Sequence, residues 1–100
     1  MIFVTQLIYI KEGQEETFER FEEAAIPAIG RYNGRLLLRL RPGDDAFISG
    51  TMNKPYEVHL AEFDSEEDFE NFKHDEERRR FLHLKEQSIA IAINIQGVRL

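Results

Sequence analysis

Ile2-Phe3-Val4-Thr5-Gln6-Leu7-Ile8-Tyr9-Ile10 opens the chain with apolar residues at both odd and even positions. A strand points successive side chains to opposite faces, so a run that is oily at both parities presents apolar surface on two sides. The stretch Tyr56 to Phe63 behaves in the same way. Both are expected at or near the centre of one sheet. Around them the apolar runs fall in the order strand, helix, strand, strand, helix, strand, with nothing left over. This order predicts an α+β fold, a ferredoxin-like β-α-β-β-α-β arrangement with a four-stranded antiparallel sheet, as a single domain over residues 1–100. Helices in so short a chain cover one face of the sheet. The other face needs a partner, and a second copy of the chain is the economical one, giving a homodimer joined through its sheet faces.

In the first helix Phe18, Phe21, Ala25, Ile29 and Tyr32 recur at helical spacing and form one narrow stripe. Pro27 interrupts the pattern and predicts a kink or restart, because it cannot donate to the carbonyl four residues earlier. Gly34 is placed to end the helix, with Asn33 tolerating the same left-handed geometry. In the second strand Leu36, Leu38 and Leu40 are expected on one face, with Arg35, Arg39 and Arg41 on the other and Leu37 between them. Pro42 to Pro55 then forms a long connection whose Ala46-Phe47-Ile48 is unexpectedly apolar. It reads as a short extra strand or plug, or as a lid over a pocket.

Ser65 and Asp68 form a capping-box pattern at the start of the second helix. The Phe69 and Phe72 stripe loses its phase before Phe81, Leu82 and Leu84, so a break is expected near Lys73-His74-Asp75, with Asp75 capping a second segment through Arg78 to about Glu86. Arg78-Arg79-Arg80 after Asp75-Glu76-Glu77 reads as a solvated face of ion pairs. The last strand places Ile89, Ile91, Ile93 and Ile95 on one face. Ala90, Ala92, Asn94 and Gln96 lie on the other, where small and polar groups would let a partner sheet approach closely.

The net charge of −6 argues against nucleic acid, which is bound by neutralising phosphates with Lys and Arg. The third strand also lacks the basic and aromatic pattern of an RNA-recognition module. No apolar run nears the ~20 residues needed to span a bilayer, so no membrane partner is expected. The absence of cysteine removes disulfides and thiolate chemistry, and with no leader pattern the chain is expected to be cytoplasmic. His59, His74 and His83 have no metal-ligand spacing, and no metal or other cofactor is expected.

The element order, Gly34 after the first helix, the run Pro55-Tyr56-Glu57-Val58-His59-Leu60 into Phe63-Asp64-Ser65, and Asp75-Glu76-Glu77-Arg78 in the broken second helix together resemble the dimeric α/β-barrel superfamily. Within it the chain is similar to small families of unknown function close to the antibiotic-biosynthesis-monooxygenase-like and NIPSNAP-like families. The resemblance spans essentially the whole chain and implies two sheets face to face across a twofold axis, with any ligand pocket between sheet and helices. It carries over no catalytic residues. Haem-degrading members share an Asn on the first strand, a Trp in the cleft and a His on the second helix; Gln6 and the lack of any Trp speak against haem here.

Glu57 and His59 stand two apart on a strand, with Cα atoms about 6.5 to 7 Å apart and side chains on one face, near enough for the carboxylate to orient the imidazole. Phe63 shares their parity and should face the helices, which aims His59 into the space where a general base for an acidic C–H or a phenol would sit. A histidine satisfied for packing is the alternative. Arg39 and Arg41 suit a carboxylate or enolate ligand, or else pair with acids of a partner subunit. Tyr9 and Tyr32 are further ligand-binding candidates, each also readable as core with its hydroxyl at the rim. Two functions stay open: a homodimeric barrel protein that binds a small aromatic or carboxylate-bearing metabolite, with cofactor-free monooxygenase-like or isomerase-like chemistry, or a non-catalytic dimeric interaction protein whose pocket is filled by its own Phe47 or Phe81.

Overall fold

The computed structural model describes residues 1–100. Strand β1 (Ile2–Ile10) leads into helix α1 (Glu15–Arg31), and β2 (Gly34–Leu40) is followed by β3 (Glu57–Phe63). Three short helices, α2 (Glu66–Lys73), α3 (Glu76–Arg80) and α4 (Leu82–Ser88), then lead to β4 (Ile89–Gly97). The strands lie in the order β2-β3-β1-β4, and every pairing is antiparallel. The two runs that are oily at both parities, β1 and β3, occupy the centre. This is the ferredoxin-like arrangement.

Burial alternates along β3, with Glu57, His59, Ala61 and Phe63 turned toward the helices. The register places Ile2, Val4, Gln6 and Ile8 of β1 beside them on the same face. The core there joins Ile2, Val4, Ala61 and Phe63 to Ile29 of α1, with Phe69 and Phe72 packed alongside. On the opposite face Leu7 lies between Val58 and Ile93, and no element of the chain covers them.

Two bulges change the faces that strict alternation predicts. In β2 the register passes from Leu36 opposite Ala61 to Leu38 opposite Leu60, so Leu37 is the extra residue. Leu36 therefore faces the helices while Leu38 and Leu40 lie on the open face, and Arg39 stands on the opposite side of the sheet from Arg35. In β4 the shift at Ile10 and Ile89 leaves Ala90 extra. Ile91, Ile93 and Ile95 consequently share the open face, whereas Ile89, Ala92, Asn94 and Gln96 look toward the helices. The small and polar side of β4 is thus the helix side, and isoleucines are what it offers a partner sheet.

Helix α1 runs through Pro27 without interruption. Pro27 and Glu23 are both exposed, so the carbonyl that Pro27 cannot serve is free to meet water. Asn33, at φ 56°, makes the left-handed turn after the helix, and Gly34 serves packing instead. A Cβ there would come within 2.5 Å of the Phe63 ring and 2.8 Å of Ile29. The expected break after Lys73 occurs, with Asp75 accepting from the Arg78 amide at 2.8 Å, and Ser65 caps α2 by accepting from the Asp68 amide at 3.1 Å. A further break falls at Phe81, whose backbone leaves helical geometry and lets Leu82 and Leu84 turn. The long connection holds only a 3₁₀ turn at Asp44–Ala46, with Ile48 93% exposed, so it forms neither strand nor plug.

Candidate functional site

A cavity of about 130 Å³ lies between sheet and helices. Val4, Gln6, His59, Ala61 and Asn94 form its floor, and Phe21, Phe63, Phe69 and Phe72 give it aromatic walls. Glu22 of α1, Arg78 of α3 and Lys85 of α4 complete it at the helical end. Apolar walls with a few convergent polar groups are the usual make-up of a small-molecule site.

Glu57 is only 1% exposed, and three donors surround its carboxyl. Arg39 Nε donates to it at 2.8 Å, Arg41 Nε at 2.9 Å, and His59 Nε2 is also hydrogen-bonded to it. Burial works against its charge, yet the hydrogen bonds from Arg39, His59 and Arg41 outweigh burial and hold the carboxyl below its usual range. An ionised carboxylate can only accept, so His59 Nε2 carries the proton and Nδ1 keeps a free lone pair. Burial pushes the imidazole below its usual range in spite of Glu57, which keeps it neutral near pH 7. Chemically, His59 is a base oriented by an acid, at the wall of an apolar cavity.

Glu22 is 5% exposed, and no hydrogen bond or ion pair within the chain holds its carboxyl. Burial first, and then the nearby charge of Glu57, raise its pKa from 4.5 to about 7. That preference for the neutral acid corresponds to ~3 kcal/mol. Between pH 4.5 and 7 the folded chain therefore holds a proton that the unfolded chain has lost, so this group costs stability as pH rises through that window. Glu22→Gln should melt about 10 °C or more above the parent at pH 8 and near it at pH 4.5, as followed by circular dichroism. A difference independent of pH would remove the buried acid from this description.

The sequence does not match any family model, and no curated protein matches it either. Solved structures do. A protein of unknown function from Rhodopseudomonas palustris superposes with a TM-score of 0.82 at 15% identity, over 99% of this chain and 82% of that one. An uncharacterized NIPSNAP domain protein from Burkholderia xenovorans gives 0.71 at 17%, over 100% and 95%. A putative antibiotic biosynthesis monooxygenase from Nitrosomonas europaea gives 0.76 at 13%, over 100% and 99%. The chain shares the fold of these solved structures. At these identities the likeness concerns fold alone.

Within this fold, His59 lines the cavity and Glu57 stands directly behind it. Arg39 and Arg41 are spent on Glu57 and on Glu19, which accepts from Arg39 Nη2 at 2.7 Å and also from Arg41. Their partners are acids of their own chain. Tyr9 is elsewhere, its hydroxyl donating to the Asn53 carbonyl at 2.7 Å beside a second hollow near Arg41 and Tyr56. Tyr32 donates to Asp75 at 2.9 Å and does not line the cavity. Neither Phe47 nor Phe81 plugs the cavity.

Sequence reasoning missed Glu22, Arg78 and Lys85. Arg78 is no solvated member of an arginine run: its guanidinium sits 5.3 Å from the Phe72 ring and 5.7 Å from Phe21. The signal for Glu22 lay in its spacing, four after Phe18 and seven before Ile29, which puts it inside the apolar stripe.

Proposed function

We propose that the chain is a homodimeric α/β-barrel protein that binds a small aromatic or carboxylate-bearing metabolite between sheet and helices. His59 acts there as a general base in cofactor-free proton transfer, of the kind that opens an isomerisation or the oxygenation of a phenol. The observation that carries this reading is the hydrogen bond from His59 to Glu57, which holds the imidazole at the wall of a small aromatic-walled cavity. A dry cavity of ~150 Å³ elsewhere admits benzene, so one of about 130 Å³ selects a single ring. Glu57 and the two arginines bonded to it are positioning residues, fixing the tautomer of the base.

Dimerisation is supported by the shape and chemistry of the open face. The molecule is a slab of 35 × 34 × 17 Å, so its broad side exceeds the ~800 Å² per partner that a stable interface buries. Leu38, Leu40, Ile91 and Ile95 on that side are 40–57% exposed. Apolar patches of this extent mark interaction surfaces.

The test is a ¹⁵N-resolved titration of the histidine side chains with phenol. Saturable movement of the His59 Nδ1 resonance, with the exposed His74 and His83 unmoved, is the expected result. A His59 signal indifferent to millimolar phenol overturns the reading.

A further inference from the structure

The helical end of the cavity holds two cations that form no ion pair with any carboxylate of the chain. The Arg78 guanidinium gives its one hydrogen bond, at 3.1 Å, to the Lys73 carbonyl, and Lys85 Nζ makes neither hydrogen bond nor ion pair. Lys73, also on the wall, is by contrast paired with Glu70 at 2.8 Å. Burial depresses the pKa of Arg78 and of Lys85 further than the charges of Glu22 and Asp75 near the first, and of Glu22 and Glu86 near the second, restore it. Glu22 faces them across the cavity but forms no ion pair with either.

We infer that Arg78 and Lys85 form a carboxylate-binding subsite, so that the cavity takes a monocyclic aromatic carboxylate with its ring among Phe21, Phe63 and Phe72. This rests on the cavity being a ligand site, as proposed above, and names which class of ligand enters it. The ring fits the aromatic walls, and the acid group supplies the anion that two desolvated cations lack. His59 on the floor is then left to meet the far side of the ring. The carboxyl of Glu22, kept neutral up to about pH 7, does not repel the incoming anion and has a proton to donate to it. Other charged groups near Glu22 are Glu19 on its own helix, Glu57 of β3 and Arg39 of β2, and these are already paired with one another. With a net charge of −6 the chain as a whole repels small anions, so benzoate binding reports a local site and not a general field.

The experiment is calorimetric titration of the full chain with benzoate and with its neutral isostere benzamide at pH 6.5. Benzoate should bind about tenfold more tightly than benzamide, the difference expected of a charge-assisted contact. Lys85→Met and Arg78→Gln should each erode that preference, cutting benzoate affinity more than benzamide affinity. Benzamide binding with no advantage for benzoate, or a preference unaffected by both substitutions, overturns the subsite and leaves the ring-binding cavity standing. Failure of both rings to bind overturns the subsite together with the reading on which it rests.

Discussion

Glu57→Gln should destabilise the chain by ~3 kcal/mol, lowering its melting temperature by about 15 °C. The substitution keeps the side-chain shape and removes only the charge. Glu57 is 1% exposed and bonded to Arg39, Arg41 and His59, so its loss leaves two guanidinium groups facing an amide that cannot balance them. Arg39 and Arg41 are 29% and 50% exposed and retain Glu19, which moderates the penalty toward the lower end for a broken buried pair. Thermal unfolding followed by circular dichroism measures it. A loss below about 1 kcal/mol would show that water screens this network as it does surface pairs.

The second large effect concerns assembly. Leu7 lies at the middle of the open face, flanked by Val58 and Ile93. If two such faces meet, Leu7→Glu buries a carboxylate from each chain against apolar surface, near a symmetry axis that brings like charges together. In an isolated chain the same side chain would simply meet water. The parent protein should sediment at twice its 11.8 kDa at micromolar concentration, and Leu7→Glu as single chains with an unchanged far-ultraviolet spectrum. A parent that sediments as single chains would remove the barrel from the proposal, although the cavity is lined by one chain alone.

Much of the fold could be read from periodicity, because β1 and β3 need apolar residues at both parities only if they are central. The caps at Ser65 and Asp75 were equally legible, being local hydrogen bonds between residues three apart. The bulges were not. One extra residue at Leu37 and one at Ala90 invert every later side chain on their strands, and nothing in leucine or alanine announces this. Those inversions put Leu38 and Leu40 on the open face and turn Asn94 into the cavity. The Glu57 and His59 pairing followed from strand spacing, but Glu22, Arg78 and Lys85 were hidden by a general rule. Charges on a helix are usually solvated, and only the breaks at Asp75 and Phe81 and the stripe position of Glu22 bring these three together.

One spectrum bears most directly on the site: the side-chain ¹⁵N resonances of His59 at pH 7. A neutral imidazole protonated on Nε2, with Nδ1 bare and shifting as phenol saturates the cavity, is the expected result. A doubly protonated ring, or a proton on Nδ1, would leave the cavity without a base and contradict it.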